Sequence, residues 1–193
     1  EGVMNADPKQ FADATLISEL SFDEVIEMAY YGAQVIHPKT IKPLQNKGIP
    51  LHVKCFLDSS LVGTSISQQQ VKNWPPIIVV KDNQALLHLH TKDYSFVGEE
   101  PMAEIYKIFA QLKMKPNLIQ TGAVSLQIGL DNRADKIEQF AIAAASIFDV
   151  QVEKGLQLLT IRHYTEDVLS KLTLNKEMIL TQKTKATVQV LFK

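Results

Sequence analysis

"PIIVVKDNQALLHLHT", residues 76–91, decides the fold. Its first part, "PIIVVK", is a continuous run rich in β-branched residues, and its last, "ALLHLHT" (85–91), alternates apolar with polar. The two read as successive strands. Downstream, Gly98, Glu99, Glu100 and Pro101 announce a helix, because proline suits a first turn and acids suit its positive end. Met102, Ile105, Ile108, Phe109 and Leu112 then fall on its buried face. "NLIQT" (117–121) and "VSLQIGL" (124–130) follow as strands, with Gly122 in the turn between them. Arg133 to Phe148 reads as a second amphipathic helix burying Ile137, Phe140, Ala141, Ala144 and Phe148, and "VQVE" (150–153) as a closing strand. The order is β-α-β-β-α-β, the split βαβ or ferredoxin-like motif.

After this unit the pattern starts again. "GLQLLTIRH" (155–163) is a strand, "TEDVLSKL" (165–172) a short helix, and "EMILTQ" and "TKATVQVLF" two further strands. No second helix follows, so this unit lacks its closing helix and must borrow a strand. "PIIVVK", which the first unit does not need, is the donor. The expected organisation is two βαββαβ-type units, the first inserted in the second.

Upstream the character differs. Ser21 is placed to cap a helix whose first turn carries Asp23 and Glu24, with Val25, Met28, Ala29 and Ala33 at helical spacing. That helix should stop near Gly32, or a turn later before Pro38. Thr40 to Asn46 forms another short helix, Gly48-Ile49-Pro50 a turn, and "LHVKCF" (51–56) a strand. The polar "SQQQVKNWPP" (67–76) is the best domain boundary in the chain.

Composition bounds the function. The chain has 193 residues, 46% hydrophobic and 21% charged, with a net charge of −1. Such a balance offers no basic field for nucleic acid or an anionic membrane. No apolar run approaches the roughly 20 residues of a membrane span, and no signal-peptide pattern opens the chain. One cysteine, Cys55, excludes an internal disulfide and fits a reducing, cytoplasmic setting; it reads as a buried structural thiol on a strand. His88 and His90 share a strand face without a third ligand, so no metal site is expected. His37, before Pro38, reads as a hydrogen-bonded histidine at a helix end rather than a catalytic group. The eight glycines are scattered, and no G-x-x-x-x-G-K-[ST] phosphate cradle occurs.

"GVMNADP" (2–8), "LISELSFDEVIEMAYYGAQVIHPKTIKPLQNKGIPLHV" (16–53) and "GTSI" (63–66) resemble the last third of the catalytic domain of the aspartate kinase family. That family typically reads G-[IV]-x-T-[AT]-D-P-R, then F-G-A-K-V-L-H-P-x-T, then I-P and G-T. Residues 1–72 are thus expected to be the C-terminal portion of an α/β amino-acid kinase domain. Residues 73–193 resemble the family's tandem ACT regulatory region, the first ACT at about 84–153 and the second at about 76–82 plus 154–193.

The resemblance implies phosphorylation of aspartate by magnesium-ATP in the intact enzyme, the first step towards lysine, methionine and threonine. Met4, Lys9 and Gln34 stand where the family contacts ATP. Lys9 replaces an arginine, and Gln34 replaces a lysine, whose role could pass to Lys39 or Lys9. The family's K-x-G-G-[ST] phosphate loop has no counterpart here, so no catalytic residue, cofactor or kinase activity is expected of the chain alone. For an amino-acid effector, lysine before threonine, the resemblance points to Ser95, Gly98, Met102, Asn117, Gln120 and Thr121. Gly122 and Ala123 stand where lysine-sensing relatives have Ser-Glu. Asn117 after Pro116 also reads as a turn residue. Self-association through the ACT units, as a homodimer, is expected, and a dimerisation scaffold without effector is the competing reading.

Overall fold

The computed structural model describes residues 2–69 and 73–193. Its elements, in order, are β1 (Glu19–Ser21), α1 (Phe22–Tyr31), α2 (Pro38–Lys47), β2 (Leu51–Val53), β3 (Thr64–Ser67), β4 (Ile77–Thr91), α3 (Glu99–Leu112), β5 (Pro116–Thr121), β6 (Ser125–Asp131), α4 (Ala134–Ala144), β7 (Phe148–Arg162), α5 (Glu166–Thr173), β8 (Met178–Lys183) and β9 (Thr187–Phe192). Among the described residues no helix is long and apolar enough to cross a membrane. The chain divides into two compact units, Glu1–Val80 with Leu159–Val190, and Lys81–Leu158 with Leu191–Lys193.

In the first unit a three-stranded sheet runs β1-β3-β2, with β1 parallel and β2 antiparallel to β3. The Ser21 hydroxyl accepts the Glu24 N–H at 3.1 Å, capping α1, and Gly32 closes the helix in the left-handed region at φ 109. The helix therefore stops at the earlier of its two expected ends. Val25 and Met28 from α1 pack with Val3, Ile17, Leu20, Ile41, Ile66 and Ile77 into one core. Gly63, at φ 69, is held there by necessity, because a Cβ would collide with the Val53 carbonyl oxygen.

The second unit holds β4 from Lys81 onward, α3, β5, β6, α4 and β7 up to Leu158. The larger sheet orders its six strands β5-β6-β4-β7-β9-β8. Its first four strands have the ferredoxin-like arrangement, with the first and third strands of the motif in the middle. The core fills from one face of the alternation: Ala85, Leu87 and Leu89 of β4 and Leu126, Ile128 and Leu130 of β6 pack against Ile105, Phe109, Ile137 and Phe140 of the two helices. Phe109 and Phe140 stack with centroids 4.9 Å apart. The same strand order recurs as β8-β9-β7-β4, with α5 as the last helix among the described residues.

Several expectations are corrected. The two strands read in 76–91 are one, β4, and those read in 150–163 are also one, β7. Asn83 (φ 52) and Gly155 (φ 76) enter the left-handed region inside these strands, so the pattern breaks while the strand continues. Phe148 opens β7 instead of closing α4, which ends at Ala144. Cys55 lies beyond the short strand β2 and is only half-buried. The boundary read at 67–76 includes residues 70–72, outside the described residues, and the compact units part at Val80.

Candidate functional site

The segment 2–6 is threaded between neighbours by backbone and side-chain bonds. Ile17 N–H donates to Val3 O at 2.9 Å, Ile78 N–H to Asn5 O at 2.7 Å, and Val3 N–H to the Thr64 hydroxyl at 2.8 Å. Thr64 passes the chain of bonds on to Ile17 O at 2.7 Å. Beyond this segment Asp7 shapes a turn: its side chain accepts Lys9 N–H at 2.9 Å and its carbonyl accepts Phe11 N–H at 2.9 Å. The turn presents Lys9 to solvent. Facing it is the end of α1, where Gly32, Ala33, Gln34 and Val35 leave the helix.

Between the two lies a cleft of about 540 Å³. Met4, Lys9 and Gln34 all line it, with Met28, Val53 and Ile77–Val80 among the apolar walls. Three residues from separate stretches are thus brought to one cavity. Lys39 lies outside that lining, so Lys9 is the cation at the cleft. His37 is the exposed N-cap of α2, its Nδ1 accepting Lys39 N–H at 3.1 Å. Among the described residues no group of three or more His, Cys, Asp or Glu could hold a metal ion.

Behind α1 is an ionic cluster that sequence reasoning missed. Arg162 of β7 donates through Nε and Nη2 to the two carboxylate oxygens of Glu24, at 2.7 and 2.8 Å. Its Nη1 reaches Glu27 at 2.9 Å and the Thr187 hydroxyl of β9 at 3.1 Å. His163 Nε2 lies 3.0 Å from Glu24, near enough for an ion pair though not aligned as a hydrogen bond, and its ring stacks on Trp74 at 5.5 Å. Glu24 is only 4% exposed. Burial pushes its pKa up, but the bonds from Arg162 and the neighbouring His163 outweigh this and hold it below the ordinary carboxylate value. The one available signal was a lone arginine in an apolar strand, "LLTIRH".

In the second unit the residues proposed for an effector separate into two places. Val97 N–H donates to Ala123 O at 2.8 Å, and the Thr91 hydroxyl donates to Ser95 O at 2.9 Å. Ser95 and Gly98 therefore sit by the turn that follows Gln120 and Thr121. Ser95 turns its hydroxyl to Asp93 at 2.6 Å, while Met102 packs against the core. Asn117 stands at the other end of β5, about 13 Å from Thr121 at the rise of an extended strand. There the β5–β6 register shifts between Pro116 and Leu118. Asn117 accepts Lys81 Nζ at 2.9 Å and donates to Gln84 at 2.7 Å and Asp131 at 2.9 Å. Both amide protons are spent, and a ligand's ammonium would have to share the Asn117 oxygen with Lys81. Lys81 Nζ is also 2.9 Å from Asp131.

Comparison with known proteins agrees with the geometry. Residues 1–55 match the amino acid kinase family. Aspartokinase 1, chloroplastic, of Arabidopsis thaliana is 34% identical over 134 residues, 68% of this chain and 23% of that protein. The chain matches the C-terminal region of the aspartokinase family. Escherichia coli aspartokinase III in complex with lysine and aspartate (T-state) superposes with a TM-score of 0.75 at 27% identity, covering 98% of this chain and 46% of that one. The same enzyme in complex with aspartate and ADP (R-state) gives a TM-score of 0.78 at 24% identity, covering 99% and 46%. This aspartokinase region thus spans less than half the length of the relatives it matches.

Proposed function

We propose that this region completes an aspartate kinase, which transfers a phosphoryl group from ATP to the side-chain carboxylate of aspartate. The convergence of Met4, Lys9 and Gln34 on one cleft supports this reading most directly. A relative of the same fold holds ADP and aspartate. The apolar walls suit the adenosine end of the nucleotide, and Lys9 is the cation available to its phosphates. The chain offers neither a glycine-rich phosphate loop nor, among the described residues, a cluster able to hold magnesium. In this reading those elements are expected in the other part of the enzyme, and the region alone is expected to show no kinase activity.

Gln34 tests the assignment. In the complete enzyme carrying this region, Gln34→Lys adds a cation at the cleft and lowers the ATP Michaelis constant by about fivefold, the order of one partly exposed charge interaction. An unchanged constant means that position 34 is not at the nucleotide.

The second unit is the sensor of an end-product amino acid, lysine first and threonine next. The loop 93–98 bonded to the turn at 121–125 supports this, because it gathers backbone donors and acceptors beside Ser95, Gly98 and Thr121. A lysine complex of a relative supports the effector class. An edge of the ferredoxin-like sheet is where two copies would pair.

A further inference from the structure

Helix α1 serves two places at once. It carries Glu24 and Glu27 to Arg162, and its Met28, with Gly32 to Val35 just beyond its end, lines the cleft. The helix has ten residues, about 15 Å, and behaves as a short rod, so holding one end sets the other. The hold is specific. Arg162 engages both oxygens of Glu24, one of Glu27 and the hydroxyl of Thr187, and its side chain is 13% exposed. A guanidinium can make these bonds in fixed directions, whereas a lysine ammonium cannot span both carboxylates in the same geometry. Buried ion pairs are a poor source of net stability, since desolvation consumes much of their attraction. What such a pair does supply is a unique position for the element it grips.

We propose that Arg162 is a positioning residue for the nucleotide cleft: it fixes α1 from strand β7 and thereby sets where the Gly32–Val35 wall stands. The inference rests on the nucleotide reading of that cleft. Arg162 bonds to Glu24 and Glu27 and lies 6.0 Å from the Tyr31 ring centroid, and it acts on the Gly32–Val35 wall through these helix residues. A reporter is built in beside it. Trp74, the single tryptophan of the chain, stacks on His163, which adjoins Glu24.

The experiment titrates the complete enzyme carrying this region with ADP, by calorimetry and by Trp74 emission read against a Trp74→Phe control, in the wild type, in Arg162→Lys, and in the double variant Glu24→Leu with Arg162→Met. The double variant removes the buried pair together and refills its space with apolar atoms, leaving only the 45% exposed Glu27 to solvent, so it stays folded even where a single deletion would not. Titrations are made at a temperature where circular dichroism shows each variant fully folded. ADP affinity falls about tenfold in both variants, the order expected when a binding wall moves by a fraction of an ångström to an ångström, and the emission response is lost. A merely stabilising pair would lower the melting temperature and leave the affinity of the folded chain alone. ADP affinity equal to wild type in the folded variants overturns the positioning role and leaves the nucleotide reading standing. No binding of millimolar ADP by the complete wild-type enzyme overturns that reading, and the positioning role with it.

Discussion

At the scale of single residues, the polar groups of this chain do more than their positions in the sequence announce. Asp131 closes β6, where it reads as a strand-end carboxylate, yet it accepts from Lys81, Asn117 and Gln84 at once. Burial pushes its pKa up, but those three donors prevail and bring it down to about 2. A carboxylate depressed in the folded state stabilises above its unfolded pKa, near 4, and that contribution is lost as pH falls from there towards 2. Asp131 is 49% exposed, so solvent screening limits the effect to about 1 kcal/mol or less. Urea unfolding of wild type and Asp131→Asn should therefore differ at pH 6 and converge towards pH 2; a constant gap would remove the linkage. Glu24 shows the same lesson. As a first-turn acid its placement was legible from helix electrostatics, but its burial under Arg162, 138 positions away, was not.

At the scale of elements, helix limits were readable where a side chain or a glycine defines them, as Ser21 and Gly32 do for α1. Strand limits were less so. β4 and β7 are each 15 residues long, and both were read as pairs because polar residues interrupt the alternation near Asn83 and Gly155. A left-handed residue lets the strand re-aim and continue. Asn83 tolerates this while its side chain accepts from Asn132 at 3.0 Å. At Gly155 a Cβ would meet nothing within 4 Å, so only backbone strain opposes a side chain. Gly155→Ala should then cost about 1–2 kcal/mol in urea unfolding. An unchanged midpoint would show that β7 passes residue 155 without the left-handed turn.

At the scale of the whole molecule, the interleaving of units is what a linear reading reached by counting. One ferredoxin-like unit was complete, the next was a strand short, and "PIIVVK" was spare. The sheet order β8-β9-β7-β4 sets the strand that contains this segment beside β7. The proposed sensing function belongs to this scale too. Titration calorimetry of the chain with lysine, threonine and methionine separately, with sedimentation alongside, should give heat with lysine or threonine. Silence from all three, with an unchanging dimer, would favour the scaffold reading and mark Gly122-Ala123 as a lost pocket.

The sequence by itself determined the class of fold, the order of elements and the family, because alternation, helix caps and the N-terminal motifs are local and are written within a few residues of one another. It also named three residues that share a cleft, through a resemblance confined to contiguous stretches. Only the tertiary structure decided that β4 and β7 are unbroken, that Asn117 spends its amide on Lys81, Gln84 and Asp131, and that Arg162 grips α1. Each of these depends on partners 14 to 138 positions apart, or on a backbone angle. A buried charge meets its counterion only after the chain has folded to place them together.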